Sequence, residues 1–271
     1  MKDITQNKKR LERYYAKKCE HCFSDDISKC SKKEGCLCKV AAETKAYMCS
    51  VIPNPYHKYT IWDFNGLTAS GSALSPAVVS NAKSMLLKYC WNGVTLDDLQ
   101  RNIYDIHSRK SLNLDQKSVM DKRLKQGTNL LIHSPNSHQT GKTFVASLVM
   151  REAIKRRVKP GKAVETYDWI PFVKLKHLIR KEDDLISHLE SCDWLVVDDI
   201  PYDNGMTRTS EAYMSSLIDP FFAERLDSVL PTIFVFKFDI DNDSNRWEDM
   251  FGLTISSVVK DKHSCKIKLF E

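Results

Sequence analysis

An apolar strand pattern, a Gly-Lys-Thr sequence and an apolar helix follow one another in this chain, and this succession constrains the fold most strongly. Residues 129–133 (Asn-Leu-Leu-Ile-His) have the pattern of a buried strand, and an apolar helical run begins at Phe144. Backbone N–H groups point outward at the start of a helix, and the helix dipole favours negative charge there. The succession therefore predicts a phosphate-binding loop (P-loop) in an α/β fold.

Each residue of the Gly-Lys-Thr sequence has an expected role. Gly141 allows close approach of the backbone, Lys142 neutralises the β- and γ-phosphates, and the Thr143 hydroxyl binds Mg²⁺. Asn136 stands where the usual pattern has glycine, and asparagine tolerates left-handed backbone better than most residues. The predicted nucleotide-binding residues of the loop are Asn136, Ser137, His138, Gln139, Thr140, Gly141, Lys142 and Thr143. ATP and Mg²⁺ are the expected ligands.

A second segment supplies the acidic groups that such a loop requires. Four apolar residues, 194–197, are followed directly by Asp198 and Asp199. We expect Asp198 to bind the nucleotide's Mg²⁺ through its water shell and Asp199 to polarise the attacking water. A strand that merely ends in two solvated acids is the simpler interpretation of this segment alone. Its occurrence about 55 residues after the Gly-Lys-Thr sequence favours a nucleotide site.

Strand and helix patterns alternate from residue 129 onward, which is typical of a parallel sheet covered on both faces. The predicted strands are 129–133, 163–168, 193–198, 231–236 and a closing strand near 265–270. The predicted helices are one that starts at Pro76 and others near 96–125, 142–157, 171–179, 209–225 and 246–251. The predicted fold class is an α/β P-loop ATPase, with the ATPase domain at 76–271 and a connector at 51–75.

Residues 1–50 form a predicted zinc module, because five of the nine cysteines fall within twenty residues. These five are Cys19, Cys22, Cys30, Cys36 and Cys38. Structural Zn²⁺ takes four ligands in a tetrahedron, and a Cys-x₂-Cys turn supplies two of them. The second pair comes from the last three cysteines, so which four bind stays open. A disulfide is disfavoured in a reducing compartment, and free thiols are the remaining alternative.

Composition and charge limit the class of protein. No apolar run approaches the roughly 20 residues that cross a bilayer, and the start of the chain lacks the apolar core of a signal peptide. We therefore expect a cytoplasmic protein with no membrane partner. Residues 1–40 hold eleven Lys/Arg against six Asp/Glu, which fits either a solvated arm or a contact with nucleic acid. Basic clusters at 155–159 and 174–181 leave the same two alternatives open.

With both phosphate-site segments placed, the chain resembles the DnaC/DnaI/IstB group of AAA+ ATPases, and most of all phage or plasmid replicative helicase loaders. Four segments carry the resemblance, which covers about 51–271. They are Ile52–Phe64 (IPNPYHKYTIWDF), Arg123–Ile132 (RLKQGTNLLI), Asp198–Ile200 (DDI) and Leu230–Phe234 (LPTIF). The cysteine module is similar to the zinc-bearing N-terminal domains of some loaders.

The resemblance implies further site residues. Arg225 stands where the group has an arginine finger that reaches a neighbouring subunit's γ-phosphate; a surface arginine near a helix end is the alternative. Lys237 stands where the group has a polar sensor residue, so we expect it either to contact phosphate or to cap the strand. Two arginines that loaders carry near the C-terminus are replaced by Thr254 and Val258. These replacements predict slow ATP hydrolysis.

The function implied by the resemblance is ATP-dependent helicase loading in DNA replication. The zinc module is expected to bind a replicative DNA helicase, and the AAA+ domain to bind single-stranded DNA within an ATP-dependent oligomer. One alternative is an IstB/TnsC-like transposition regulator that assembles on duplex DNA. Another is a nucleotide-binding adaptor with little hydrolysis, and a zinc-finger transcription factor would leave the phosphate-site segments unexplained.

Overall fold

A five-stranded sheet forms the centre of the protein, which we describe from a computed structural model. The structure describes residues 37–64, 75–90, 129–134, 141–157, 165–181, 184–201, 208–241, 246–260 and 264–269. The strands are β1 (Leu130–His133), β2 (Tyr167–Pro171), β3 (Trp194–Ile200), β4 (Thr232–Phe236) and β5 (Cys265–Lys268). Their order in the sheet is β2-β3-β4-β1-β5, and every pair of neighbours is parallel. The predicted parallel α/β sheet is confirmed.

Helices flank this sheet. They are α1 (Leu37–Val51), α2 (Pro76–Cys90), α3 (Lys142–Arg157), α4 (Phe172–Arg180), α5 (Leu185–Ser191), α6 (Arg208–Asp227) and α7 (Arg246–Lys260). The predicted helices near 76, 142–157, 171–179 and 209–225 match α2, α3, α4 and α6, whereas α5 was not predicted. The predicted helix at 96–125 lies outside the described residues. Among the described helices, none combines the length and apolar character that crossing a membrane requires.

The side chains of the strands alternate between two buried layers. Leu130 and Ile132 pack in the layer that α1, α2 and α3 cover. Leu131, between them, packs in the opposite layer with residues of α4, α5, α6 and α7. Because both faces are buried, the central strands β1, β3 and β4 have mainly apolar sequences, whereas β2 and β5 at the two edges of the sheet contain charged residues as well.

Strand β2 begins later than the predicted strand at 163–168. The side chain of Asp193 accepts hydrogen bonds from the backbone N–H and the hydroxyl of Thr166, at 2.6 and 2.9 Å. These bonds lie one residue before the first paired residues of β2 and β3, which are Tyr167 and Trp194. The strand then extends to Pro171, which an edge strand accommodates because the missing N–H is not required there.

The second half of α1 belongs to the domain built on this sheet. Met48 and Ile52 are buried in the same layer as the strand side chains. The Tyr47 hydroxyl accepts a hydrogen bond from the N–H of Tyr167 at 2.9 Å and donates one to its carbonyl at 3.4 Å. The hydroxyl thereby covers backbone groups at the open edge of β2. The core of the sheet domain thus includes residues on the N-terminal side of position 50, where the predicted zinc module ends. The predicted connector contains two 3₁₀ turns, Tyr56–Lys58 and Ile61–Asp63.

Helix α7 consists of two helical pieces joined at Gly252, so it continues beyond the predicted end at 251. Gly252 has φ of 84° and ψ of 175°, a conformation that favours glycine. A Cβ at this position would overlap the side chain of Asp219 in α6. The Asp219 carboxylate also accepts a hydrogen bond from the N–H of Thr254 at 2.7 Å, so it caps the start of the second piece.

Helix α6 ends with a pattern of backbone hydrogen bonds that normally requires glycine. Leu230 donates its N–H to the carbonyl of Arg225 at 2.9 Å, and Val229 donates to Leu226 at 3.1 Å. These two bonds define a Schellman motif, in which the residue at the Val229 position adopts a left-handed conformation. Val229 does so with φ of 56°, which is rare for a β-branched residue.

Candidate phosphate and metal site

The residues predicted to bind phosphate and Mg²⁺ meet at one edge of the sheet. Lys142 and Thr143 begin α3 just beyond β1, and Asp198 and Asp199 lie near the end of β3. Lys237 follows β4, which lies between β1 and β3 in the sheet. The carboxyl ends of parallel neighbouring strands share one edge, so the fold brings together five groups from three segments that are far apart in sequence.

A hydroxyl and a carboxylate face each other at this edge. The Thr143 Oγ1 donates a hydrogen bond to Asp198 Oδ1 at 3.3 Å, which is long for a bond between these groups. The same carboxylate oxygen accepts the backbone N–H of Asp199 at 2.8 Å. Oxygen ligands of this kind, completed by water and phosphate, are what Mg²⁺ prefers. The donor set therefore fits the predicted Mg²⁺ of a nucleotide.

Burial opposes charge on the two central groups. Desolvation raises the pKa of Asp198 to about 6, even though hydrogen bonds from Asp199, Thr143 and Trp169 favour the ionised form. Desolvation also lowers the pKa of Lys142 to about 8, against the attraction of Asp198 and Asp199. A metal beside Asp198 and phosphates beside Lys142 would each add opposite charge, which stabilises the ionised form of the buried group.

Asp199 differs from Asp198 in backbone conformation and exposure. The register between β3 and β4 shifts between Val197 and Ile200, and Asp199 has φ of 62°. The irregularity leaves the Asp199 side chain 54% exposed, and its carboxylate forms an ion pair with Lys237 at 3.2 Å. Left-handed conformations of residues other than glycine are costly and cluster at functional sites. The bulge therefore presents the second acid to solvent at the edge where Lys142 lies.

Lys237 was predicted either to contact phosphate or to cap its strand, and its position is compatible with both. Its backbone N–H donates to the carbonyl of Ile200 at 2.8 Å, so it continues the contact between β4 and β3. Its ammonium group, which is 36% exposed, pairs with the predicted water-polarising acid.

Trp169 is a member of the site that the sequence did not indicate. It lies on β2, opposite Val196 of β3, and its side chain forms a hydrogen bond that stabilises the ionised form of Asp198. Trp169 lies on the strand next to the one that carries the acids. This arrangement is visible only once the strand order is known, so the sequence alone did not indicate the residue.

The role of Arg225 as an arginine finger stays a prediction, because it concerns a neighbouring subunit. In this structure its side chain is 1% exposed, and its guanidinium group donates to five oxygen acceptors of its own chain. These acceptors are Thr232 Oγ1 and the carbonyl oxygens of Leu189, Glu190, Cys192 and Pro231, at 2.8–3.1 Å. Arg225 thus joins α5 and β4 to the end of α6.

The remaining predicted residues are only partly described. Asn136, Ser137, His138, Gln139, Thr140, Cys19, Cys22, Cys30 and Cys36 lie outside the described residues. Cys38 lies in α1, but its side chain is not among those described. Gly141 has φ of 78°, a conformation that suits glycine at the predicted loop. In the second basic cluster, Lys174, Arg180 and Lys181 are exposed.

The fold and the site together define an α/β protein whose parallel sheet carries Lys, Thr, two Asp and Lys at its carboxyl edge. No protein-family model matches the chain, and no curated protein matches it. Among solved structures, DnaI is similar with a TM-score of 0.46 and 13% identity, over 80% of this chain and 90% of that chain. The DnaC helicase loader is similar with a TM-score of 0.35 and 15% identity, over 61% of this chain and 95% of that chain. At these values the likeness does not assign a function.

Proposed function

We propose that the protein is an ATP-binding AAA+ protein with slow hydrolysis, which acts as a loader of a replicative DNA helicase. The observation that carries nucleotide binding is the convergence of Lys142, Thr143, Asp198, Asp199 and Lys237 at one sheet edge. Lys142 binds the phosphates, and Thr143 with Asp198 holds the accompanying Mg²⁺. The two pKa shifts support this assignment, because burial disfavours the charged form of each group and Mg²⁺-ATP would stabilise it.

Slow hydrolysis follows from the ion pair between Lys237 and Asp199. A carboxylate oxygen that pairs with an ammonium group at 3.2 Å must first exchange this partner before it can accept a hydrogen bond from the attacking water. The same pair, together with the burial of Arg225, favours the adaptor with little hydrolysis as a second candidate.

The loader role is supported by the four sequence segments that resemble DnaC/DnaI-like proteins and by the cysteine cluster. In this proposal the zinc module binds the helicase, the sheet domain binds single-stranded DNA, and ATP promotes assembly of an oligomer in the cytoplasm. The exposed side chains of Lys174, Arg180 and Lys181 on and beside α4 offer one surface for DNA phosphates.

Nucleotide binding is tested with a fluorescent ATP analogue in the presence of Mg²⁺. Lys142→Ala is expected to weaken binding about 10- to 100-fold, because hydrogen bonds to charged groups contribute about 1.5–3 kcal/mol. Lys174→Ala removes an exposed lysine on α4 and serves as the matched control. Equal affinity of both variants and the wild type would refute the phosphate site.

Hydrolysis is tested by phosphate release under saturating ATP. Asp199→Asn is expected to lower the rate at least about 100-fold while ATP binding is retained, since a positioned base contributes about 10²–10⁴-fold. Asp227→Asn, an exposed acid at the end of α6, is the control. Wild-type turnover that Asp199→Asn does not change would instead favour the adaptor.

Helicase binding is tested by pull-down from the host with and without ATP. The truncation should remove residues 1–36 and keep α1, because Met48 and Ile52 are part of the buried core. Loss of an ATP-dependent helicase partner in this truncation is the expected result. Recovery of a transposase, with preference for duplex DNA, would favour the transposition regulator and contradict the loader.

A further inference from the structure

A second cluster of ligand-type side chains lies beside the phosphate site and is not used by it. His133 is the last residue of β1 and is 0% exposed, while Asp239 and Asp241 follow β4. The His133 Nδ1 lies 3.1 Å from Asp239 Oδ1, and its Nε2 lies 3.8 Å from Asp241 Oδ2. One potential ligand atom from each residue falls within 4.8 Å of the others.

The hydrogen bonds of Asp239 determine which nitrogen of His133 carries the proton. Asp239 accepts the N–H of Asp241 at 3.1 Å and pairs with the Lys268 ammonium at 2.7 Å. Both oxygens of Asp239 thus face donors, Oδ1 the N–H of Asp241 and Oδ2 the ammonium group of Lys268, so the carboxylate acts as an acceptor. It can only accept at His133, and a neutral imidazole therefore has its proton on Nδ1.

This assignment leaves Nε2 as an acceptor with a free lone pair. Nε2 is buried and has no hydrogen-bond partner within the described part of the chain. A buried polar atom without a partner costs about 1–3 kcal/mol, so the position calls for a ligand that accepts its electron pair. The Asp241 carboxylate lies 3.8 Å from Nε2, and its side chain is 41% exposed, so it connects the cluster to solvent.

We propose that His133 Nε2 and the Asp241 carboxylate bind a divalent transition-metal ion of the Zn²⁺ class, with Asp239 orienting the imidazole from its other nitrogen. A carboxylate that accepts the second ring N–H is the usual partner of a metal-bound histidine. Imidazole nitrogen and carboxylate oxygen both suit Zn²⁺, whereas Mg²⁺ strongly prefers oxygen alone.

The observed spacing is close to what such an ion requires. Two ligands that each lie about 2.1 Å from a tetrahedral ion are about 3.4 Å apart, so the 3.8 Å separation closes with a small movement of the exposed Asp241. Lys268 reduces the attraction for a cation, but two carboxylates against one ammonium group leave this cluster with one net negative charge. Water molecules complete the coordination.

The test is a titration of metal-depleted full-length protein with Co²⁺ under reducing conditions, without nucleotide. Co²⁺ bound to cysteines gives a thiolate charge-transfer band, whereas Co²⁺ bound by nitrogen and oxygen gives only weaker d–d absorption. The expected result is a saturable d–d absorption from Co²⁺ that is not accompanied by a thiolate band. Any Co²⁺ bound to cysteines would add a separate component that has this band. Asp241→Asn should weaken that component about 10- to 100-fold.

Two further variants locate the ion. Asp227→Asn, an exposed acid of α6, should leave the affinity unchanged, and Asp198→Asn should also retain the component because the phosphate site is not involved. The proposal is overturned if the wild type shows no such component, if Asp198→Asn abolishes it, or if Asp241→Asn matches Asp227→Asn. A ring-nitrogen NMR signal showing that His133 stays doubly protonated at neutral pH and does not respond to Zn²⁺ would overturn it as well.

Discussion

Replacing Arg225 by alanine separates a structural role from a role between subunits. The substitution leaves buried carbonyl oxygens of Leu189, Cys192 and Pro231 without the guanidinium donor. Each hydrogen bond to a charged donor contributes about 1.5–3 kcal/mol, and water entering the space recovers part of the loss. We therefore expect the free energy of unfolding to fall by about 3–5 kcal/mol, the range measured when one partner of a buried charged group is removed.

The assay is urea unfolding followed by tryptophan fluorescence, with thermal unfolding as a second measurement. A loss of 3–5 kcal/mol corresponds to a fall in Tm of roughly 6–20 °C for a chain of this size. Arg180→Ala, an exposed arginine at the end of α4, controls for the removal of charge and should change stability by less than about 0.5 kcal/mol. The reasoning is refuted if Arg225→Ala is as stable as the control but loses ATP hydrolysis that depends on protein concentration, which is the behaviour of an arginine finger.

Three further predictions concern the phosphate site and two unusual backbone positions. Affinity for Mg²⁺-ATP should be highest between about pH 6 and 8 and fall by up to tenfold per pH unit outside this range, as nucleotide titrations at several pH values would show. Below about pH 6 the buried Asp198 is protonated and loses the charge that attracts Mg²⁺, and above about pH 8 Lys142 loses its proton and thus its positive charge. An affinity that does not change from pH 5 to 9 would contradict both pKa shifts. Gly252→Ala should lower the free energy of unfolding in urea by at least about 1–2 kcal/mol, since it places a Cβ at positive φ against Asp219, and the loss should shrink in an Asp219→Gly background. Val229→Gly should raise the free energy of unfolding by roughly 0.5–1 kcal/mol, because the relief of left-handed strain exceeds the cost of the added entropy of the unfolded chain. A decrease would show that the packing of the valine side chain contributes more than the strain.

The sequence predicted the parts of the fold that are determined by residues close together in the chain. The apolar run of β3 and the two acids after it identify a strand and its functional end within one segment. The same holds for the Gly-Lys-Thr sequence at the start of α3. Strand β2 begins later than predicted because its start depends on Asp193, which is distant in sequence from Thr166.

The parts that were missed depend on contacts between distant elements. Arg225 was predicted as an arginine finger, with a surface arginine as the alternative, and only the packing of α5 and β4 against α6 shows that its donors bind acceptors within the chain. The kink at Gly252 depends on Asp219 of another helix in the same way. Helix α5 is seven residues long, which is too short for a clear helical periodicity.

The short segment after β4 has a consequence for the interpretation of variants. Lys237 contacts the acid of the phosphate site, while Asp239 and Asp241, two and four residues on, hold the histidine at the end of β1. If binding at one cluster moves this stretch of backbone, the two binding events are thermodynamically linked, and each then alters the affinity of the other by the same factor. The phenotype of a change at residue 237 should therefore be interpreted together with the state of His133 measured in the same variant.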